Sequence, residues 1–245
     1  MVAADAGWWI ASYLAGSLPT GLVVGRMRGV DLRKAGSGNI GATNAGRVLG
    51  RPFFALVFAL DFLKSFVPTL LALRRDPVPD GVAAPLLALG CGVAAVVGHV
   101  FSVFLRFRGG KGVATASGVF FALAWAPALC ALAAWWVVYR TTRWVSLASL
   151  AAAVVLPLAC WLLPKLGVVV AKEVRWAALV VGALILVRHK SNIGRLLRGT
   201  VSGGKAAPPA DDEPPTTKPP RTRRAPAATK APSTAKGIRP STKKR

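Results

Sequence analysis

Acidic side chains are scarce in this chain of 245 residues: nine Asp and Glu stand against 32 Lys and Arg, a formal net charge of +23. No Asp or Glu cluster is therefore visible that could cage a hard metal ion. Cysteine is equally sparse. Cys91, Cys130 and Cys160 each lie inside an apolar run, where a thiol is a small hydrophobe, so no disulfide framework is implied. Charge of either sign is in short supply, at 17% of residues against 53% hydrophobic, and mean hydropathy is +0.49. Those values exclude an ordinary water-soluble domain of this length.

What the chain has instead is long apolar runs separated by basic segments. Runs at roughly 8–25, 52–73, 82–101, 145–163 and 174–188 are about the length a helix needs to cross a hydrocarbon core of about 30 Å. The stretch from Gly112 to Tyr139 holds 28 uncharged residues. As one helix it would be about 42 Å long at 1.5 Å per residue, too long for one comfortable span, and Pro127 predicts a break into two short helices. The expectation is an all-α, polytopic membrane bundle of seven transmembrane helices. The first run follows Asp5 and precedes Arg26 and Arg28, which fits an anchor with its N-terminus outside better than a cleaved signal peptide. With seven crossings, fifteen Lys or Arg of residues 1–200 fall on the inner side, five on the outer, and Lys64 lies within a span.

Composition changes near residue 200. Residues 201–245 hold nine prolines, eleven Lys or Arg and three acidic residues, and cannot build a core. The expectation is a transmembrane domain over 1–200 and a disordered, Pro/Lys/Arg-rich cytoplasmic tail over 201–245, able at most to bind anionic lipid or nucleic acid weakly.

Three polar segments share one chemistry. In the first, Gly36-Ser37-Gly38-Asn39-Ile40-Gly41-Ala42-Thr43-Asn44-Ala45-Gly46-Arg47, glycines let backbone N–H groups converge on an anion while Ser37, Asn39, Thr43 and Asn44 add neutral donors and Arg47 a planar cationic fork. Its formal G-x-G-x-x-G is not a dinucleotide fingerprint, because no strand precedes it. In the second, Gly109-Gly110-Lys111-Gly112 frames a lysine with glycines ahead of a helix start whose dipole favours an anion. Arg106 and Arg108 beside it read as an ordinary positive-inside loop. The third, Arg188-His189-Lys190-Ser191-Asn192, puts a histidine at a helix end with an asparagine one turn on. Within a span, Asp61 and Lys64 sit i, i+3 on one face, a mutually neutralising pair or the neighbour of a site.

Taken together, these segments resemble the bacterial acyl-phosphate:glycerol-3-phosphate acyltransferases. Similar motifs are Gly16-Ser17-Leu18-Pro19-Thr20, the Gly36–Asn44 run with Arg47, Leu60-Asp61-Phe62-Leu63-Lys64, Gly109–Thr115, Val145-Ser146-Leu147-Ala148-Ser149, and Arg188-His189 with Asn192. The likeness covers about residues 10 to 200 in order. It departs at Ser102, where the family usually has Pro, at Ser65, where it has Gly, and at Ser191, where an acidic residue is common.

The resemblance implies transfer of a fatty acyl group from acyl phosphate to the sn-1 hydroxyl of glycerol 3-phosphate, giving lysophosphatidic acid and phosphate, the first committed step of phospholipid synthesis. It implies Lys111, His189 and Asn192 as catalytic residues, and Ser37, Asn39, Thr43, Asn44, Arg47, Gly109, Gly110, Gly112 and Ser146 as substrate-binding residues. His189 is expected to position substrate and stabilise charge more than to act as an indispensable base. No cofactor and no metal are expected, and the partners are acyl phosphate, glycerol 3-phosphate, membrane lipids and a functional link to the soluble enzyme that makes acyl phosphate. The expected location is the bacterial plasma membrane, multi-pass, with the N-terminus outside and the C-terminus cytoplasmic. A rival from another class is an anion transporter, but no internal similarity relates the halves and the polar segments sit at helix ends. Because the tail carries none of these motifs, truncation after residue 202 is expected to leave turnover nearly intact. Activity of the truncated protein in membranes checks this, and a well-folded but inactive truncation would contradict it.

Overall fold

The computed structural model describes residues 2–75 and 86–198. The predicted tail at 201–245 and the start of the predicted span at 82–101 lie outside the described residues. Among these residues there are ten α-helices, two short 3-10 turns and no strand. In chain order the helices are α1 Val2–Ser17, α2 Thr20–Met27, α3 Ala42–Leu49, α4 Arg51–Arg75, α5 Leu86–Val100, α6 Val113–Leu123, α7 Trp125–Thr142, α8 Val145–Leu162, α9 Lys172–Arg188 and α10 Lys190–Leu197.

Three elements are long and apolar enough to cross a membrane alone: Arg51–Arg75, Leu86–Leu105 and Val145–Leu166. The pair α9 and α10, bent by 58° at His189, reaches that length and hydropathy only when the two helices are taken together. The predicted run at 8–25 is not one helix. Pro19 has no N–H to give the Ala15 carbonyl, so α1 stops at Ser17 and α2 begins at Thr20. The break expected at Pro127 falls three residues earlier, at Ala124, whose φ of −156° and ψ of 69° are not helical. Pro127 then occupies the first turn of α7, where an N–H has no intrahelical partner to lose.

Small residues let the helices meet closely. Along the α1–α5 contact a Cβ on Gly16 would collide with the Ala95 carbonyl, and one on Gly98 with the Tyr13 carbonyl. Such close approach is how helices associate where lipid supplies no hydrophobic drive. Facing outward are Ile10, Leu14, Leu63, Val67, Leu158 and Val180, an apolar exterior suited to hydrocarbon. The interior divides between a large cluster around Val96, Phe120, Leu156, Val174 and Ile185, from α5, α6, α8 and α9, and a smaller one of Val24, Leu32, Ala45 and Val57 beneath the first glycine-rich loop. Two residues that depart from the family motifs earn a place here. The Ser102 hydroxyl donates to the Ser17 carbonyl at 2.6 Å, and that of Ser65 contacts the Thr115 carbonyl at 2.7 Å.

Gly16→Leu should cost about 1–3 kcal/mol through overpacking. Gly7→Ala, where no atom lies within 4 Å of the new Cβ, should be neutral. Thermal unfolding of the two variants in detergent distinguishes them, and equal Tm values would refute this packing account.

Candidate active site

Each of the three polar segments is shaped by its own hydrogen bonds before it meets the others. In the first loop the buried Asn44 amide acts as a clasp. Its Oδ1 accepts from the Ser37 N–H at 2.8 Å, and its Nδ2 donates to the Leu32 and Ala35 carbonyls at 3.1 and 3.0 Å. Gly36, at φ +58°, turns so tightly over this amide that a Cβ would strike Asn44 Oδ1. Asn39 Oδ1 accepts from the Gly41 N–H at 2.9 Å, fixing the entry to α3. Asn44 thus spends its hydrogen-bonding groups on the loop, while Ser37, Thr43 and Arg47 remain exposed.

The second segment is held from behind. A Cβ on Gly109 would strike the His99 carbonyl and one on Gly110 the His99 imidazole, so both glycines allow the loop to lie flat on the end of α5. The Arg188 guanidinium donates to the Gly109 carbonyl at 3.1 Å and to that of Gly110 at 3.4 Å. Gly112, at φ +85°, adopts a left-handed conformation that side chains disfavour and starts α6. Lys111 is thereby aimed inward, where its Nζ donates to Asn192 Oδ1, and Asn192 Nδ2 donates to the Ser146 hydroxyl. His189 caps the bend between α9 and α10, and its Nδ1 lies 2.8 Å from the Ile185 carbonyl. A carbonyl can only accept, so Nδ1 carries the proton and Nε2 of the neutral ring keeps its lone pair.

These segments converge on one cavity of about 110 Å³. Of the sequence-predicted residues, Ser37, Asn39, Thr43, Asn44 and Arg47 line it from the first loop and α3. Lys111, Gly112, Ser146, His189 and Asn192 line it from the other side. Gly109 and Gly110 do not; they support the turn from beneath. The cavity also contains residues that motif reading had not assigned to a site: Arg195, one turn beyond Asn192 on α10, and the aromatic residues Phe54, Phe58 and Trp135. Arg195 could have been found from its i, i+3 spacing to Asn192. The aromatics carried no signal among so many apolar neighbours.

Asp61 and His99, both buried, form another wall of the cavity. The Asp61 carboxylate accepts from the Thr20 hydroxyl at 2.5 Å and pairs with Lys64 at 2.8 Å, while His99 Nδ1 is 3.5 Å away. Lys64 also donates to the Leu18 carbonyl at 2.9 Å. The two side chains thus form a buried ion pair whose Asp61 member lines the cavity.

A second, apolar cavity of about 240 Å³ runs between α6, α7 and α8, lined among others by Ala116, Phe120, Phe121, Ala128, Leu132 and Leu156. Phe54, Phe58, Val113, Trp135 and Ser149 border both spaces. Cations, helix N-termini and neutral donors thus occupy one compartment and hydrocarbon the next. Such a pair can hold a phosphorylated head and a fatty chain side by side.

Residues 6–199 match the family model described as glycerol-3-phosphate acyltransferase, and the chain belongs to that family. The glycerol-3-phosphate acyltransferase of Trichlorobacter lovleyi is 46% identical over 200 residues, covering 81% of this chain and 97% of that protein. That of Aquifex aeolicus is 45% identical over 190 residues, covering 78% and 94%. The crystal structure of PlsY, an integral membrane glycerol 3-phosphate acyltransferase, in its glycerol 3-phosphate form superposes with a TM-score of 0.72 at 42% identity, covering 82% of this chain and 95% of that one. Its lysophosphatidic acid form gives 0.71 at 40% identity over the same shares.

Burial, reinforced by the charges of Arg195, Arg47 and Arg188, pulls the Lys111 ammonium down to a pKa of about 8. An anion in the cavity favours the charged form, so its binding must take up a proton as pH passes above 8. Affinity for inorganic phosphate should therefore fall between pH 8 and 9.5, approaching tenfold per unit. Lys111→Arg, always charged, should flatten the profile. Titration calorimetry across that range checks both, and a flat wild-type profile would contradict the assignment.

Proposed function

We propose that the chain transfers a fatty acyl group from acyl phosphate to the sn-1 hydroxyl of glycerol 3-phosphate, releasing 1-acyl-sn-glycerol 3-phosphate, which is lysophosphatidic acid, and inorganic phosphate. The observation that carries this reading is the junction of a cationic cavity with an apolar groove through five shared residues. Both polar substrates bring phosphate, and only the donor brings a chain. A mixed anhydride is already activated, so alignment of the hydroxyl and stabilisation of developing charge are sufficient and no covalent acyl-enzyme is needed.

In this proposal Arg47 and Lys111, with Arg195, hold the phosphates, and the Ser37 hydroxyl and the Gly112 backbone N–H complete their shells. Asn39 and Thr43 line the same space, while Asn44, Gly109 and Gly110 act by shaping the loops. Asn192 and Ser146 fix the Lys111 ammonium. His189 lines the cavity and positions the glycerol moiety, and the attacking hydroxyl gives its one proton to a phosphate oxygen, whose second pKa near 6 suits it for that role. The direct test supplies purified protein with radiolabelled glycerol 3-phosphate and synthetic palmitoyl phosphate in excess EDTA. Lysophosphatidic acid should form. Product only from an acyl thioester, or only after Mg²⁺ is restored, would overturn the donor or the metal-free reading.

His189→Gln, which keeps hydrogen-bonding capacity, should retain about tenfold more kcat/KM than His189→Ala, whereas Lys111→Ala should lose about 10³-fold. Equal, near-total loss in both His variants, with a wild-type limb near the histidine pKa, would make His189 the general base instead.

We also propose seven crossings, with the N-terminus outside and the three polar segments on the cytoplasmic face. The gathering of residues before α4, between α5 and α6, at the start of α8 and after α9 into one cavity supports an even number of crossings between each. In a variant lacking the native cysteines, Arg108→Cys and Lys190→Cys should react with an impermeant thiol reagent from the same side. Labelling from opposite sides would refute the seven-helix topology.

A further inference from the structure

Trp135 stands on α7 where the polar cavity meets the apolar groove, and it lines both. Its indole Nε1 is 3.4 Å from the hydroxyl of Ser149, another residue of the junction. The ring stacks on Tyr139, with centroids 5.0 Å apart and planes inclined by 23°, which fixes where the N–H points. An indole N–H can only donate, and 3.4 Å is beyond the usual range of an N–H···O bond. This donor is therefore weakly engaged, in a place where most neighbours offer nothing polar: Phe54, Phe58 and Val113 complete the border.

Acyl phosphate joins a phosphate to a hydrocarbon chain through one carbonyl group. With the phosphate among the cations and the chain in the groove, that carbonyl must lie at the junction. We propose that the Trp135 Nε1–H donates a hydrogen bond to the acyl carbonyl oxygen of the donor, an inference that rests on the acyl-phosphate reading above. The glycerol hydroxyl oxygen attacks the carbonyl carbon, and the C=O electron pair moves onto the oxygen facing the indole. As that pair returns, the bond from carbon to the phosphate oxygen breaks, phosphate leaves, and the hydroxyl proton ends on a phosphate oxygen. A donor at that oxygen strengthens its bond as charge develops, which lowers the barrier more than it tightens substrate binding. Tryptophan suits the position because its ring is compatible with the chain while its one polar hydrogen faces the reacting group.

Trp135→Phe keeps an aromatic ring and removes the donor. It should lower kcat with acyl phosphate about 10- to 100-fold while KM for glycerol 3-phosphate stays within about twofold. Trp135→His, which returns an N–H, should recover part of the loss. Two inert donor mimics of equal chain length give a readout independent of turnover: a 2-oxoalkylphosphonate, which keeps the carbonyl, and the alkylphosphonate without it. Wild type should bind the keto compound about 3- to 10-fold more tightly, and Trp135→Phe should lose that preference without weakening for the other. An unchanged kcat in Trp135→Phe, equal weakening for both mimics, or a wild type with no preference would each overturn the assignment. If wild type makes no lysophosphatidic acid from acyl phosphate at all, the donor reading itself falls and Trp135 with it; an active wild type beside an unaltered Trp135→Phe removes Trp135 alone.

Discussion

Lys111, Asn192 and Ser146 come from three helix boundaries separated by 81 and 46 positions in sequence, and a single amide joins them. Its oxygen accepts a hydrogen bond from the ammonium and its nitrogen donates one to the hydroxyl. A half-buried ammonium without a partner costs several kcal/mol, and a carboxylate partner would cancel the charge that an anion needs. A neutral amide solves both problems. It satisfies the hydrogen bond and leaves the positive charge unspent, so Lys111 stays cationic below about pH 8 yet gains from any anion that arrives.

The same economy governs the wall of Asp61 and His99. Asp61 is buried, but Lys64 and the Thr20 hydroxyl meet its carboxylate, and Lys64 also reaches a backbone carbonyl at the Pro19 break. That break, a flaw in a membrane helix, becomes the place where a carbonyl is released for a cation to use. His99 links this pair to the flat glycine turn that presents Lys111, since a side chain at Gly110 would displace the imidazole. The buried ion pair thus backs the turn that presents Lys111.

Much of the site was legible because its chemistry is written in residue types that a membrane helix otherwise avoids. Arg47, Lys111, His189 and Asn192 stood out against an apolar background, and the structure places them around one cavity. The helical class followed from run length alone, as did the candidate spans Arg51–Arg75, Leu86–Leu105 and Val145–Leu166. Harder to read was the short-range geometry. Pro19 interrupts a run that hydropathy treats as continuous, and Pro127 marks a break that lies three residues upstream, because a proline ring ends the helix before it and tolerates the one it starts. Asn44 reads as a substrate donor by type but is consumed by its own loop. Trp135 was invisible for the opposite reason: one of eight tryptophans in an apolar chain has no marked character until the two cavities are seen to meet beside it.

The central claim is that one substrate spans the junction, with its phosphate among Arg47, Lys111 and Arg195 and its chain between α6, α7 and α8. The most direct measurement is a structure of the protein with a long-chain, non-hydrolysable acyl phosphonate bound. The phosphonate should lie within hydrogen-bonding distance of Lys111, with the chain running past Trp135 toward Phe120 and Leu156. A phosphonate held elsewhere, or a chain lying on the outer surface of the bundle with the groove empty, would contradict the account.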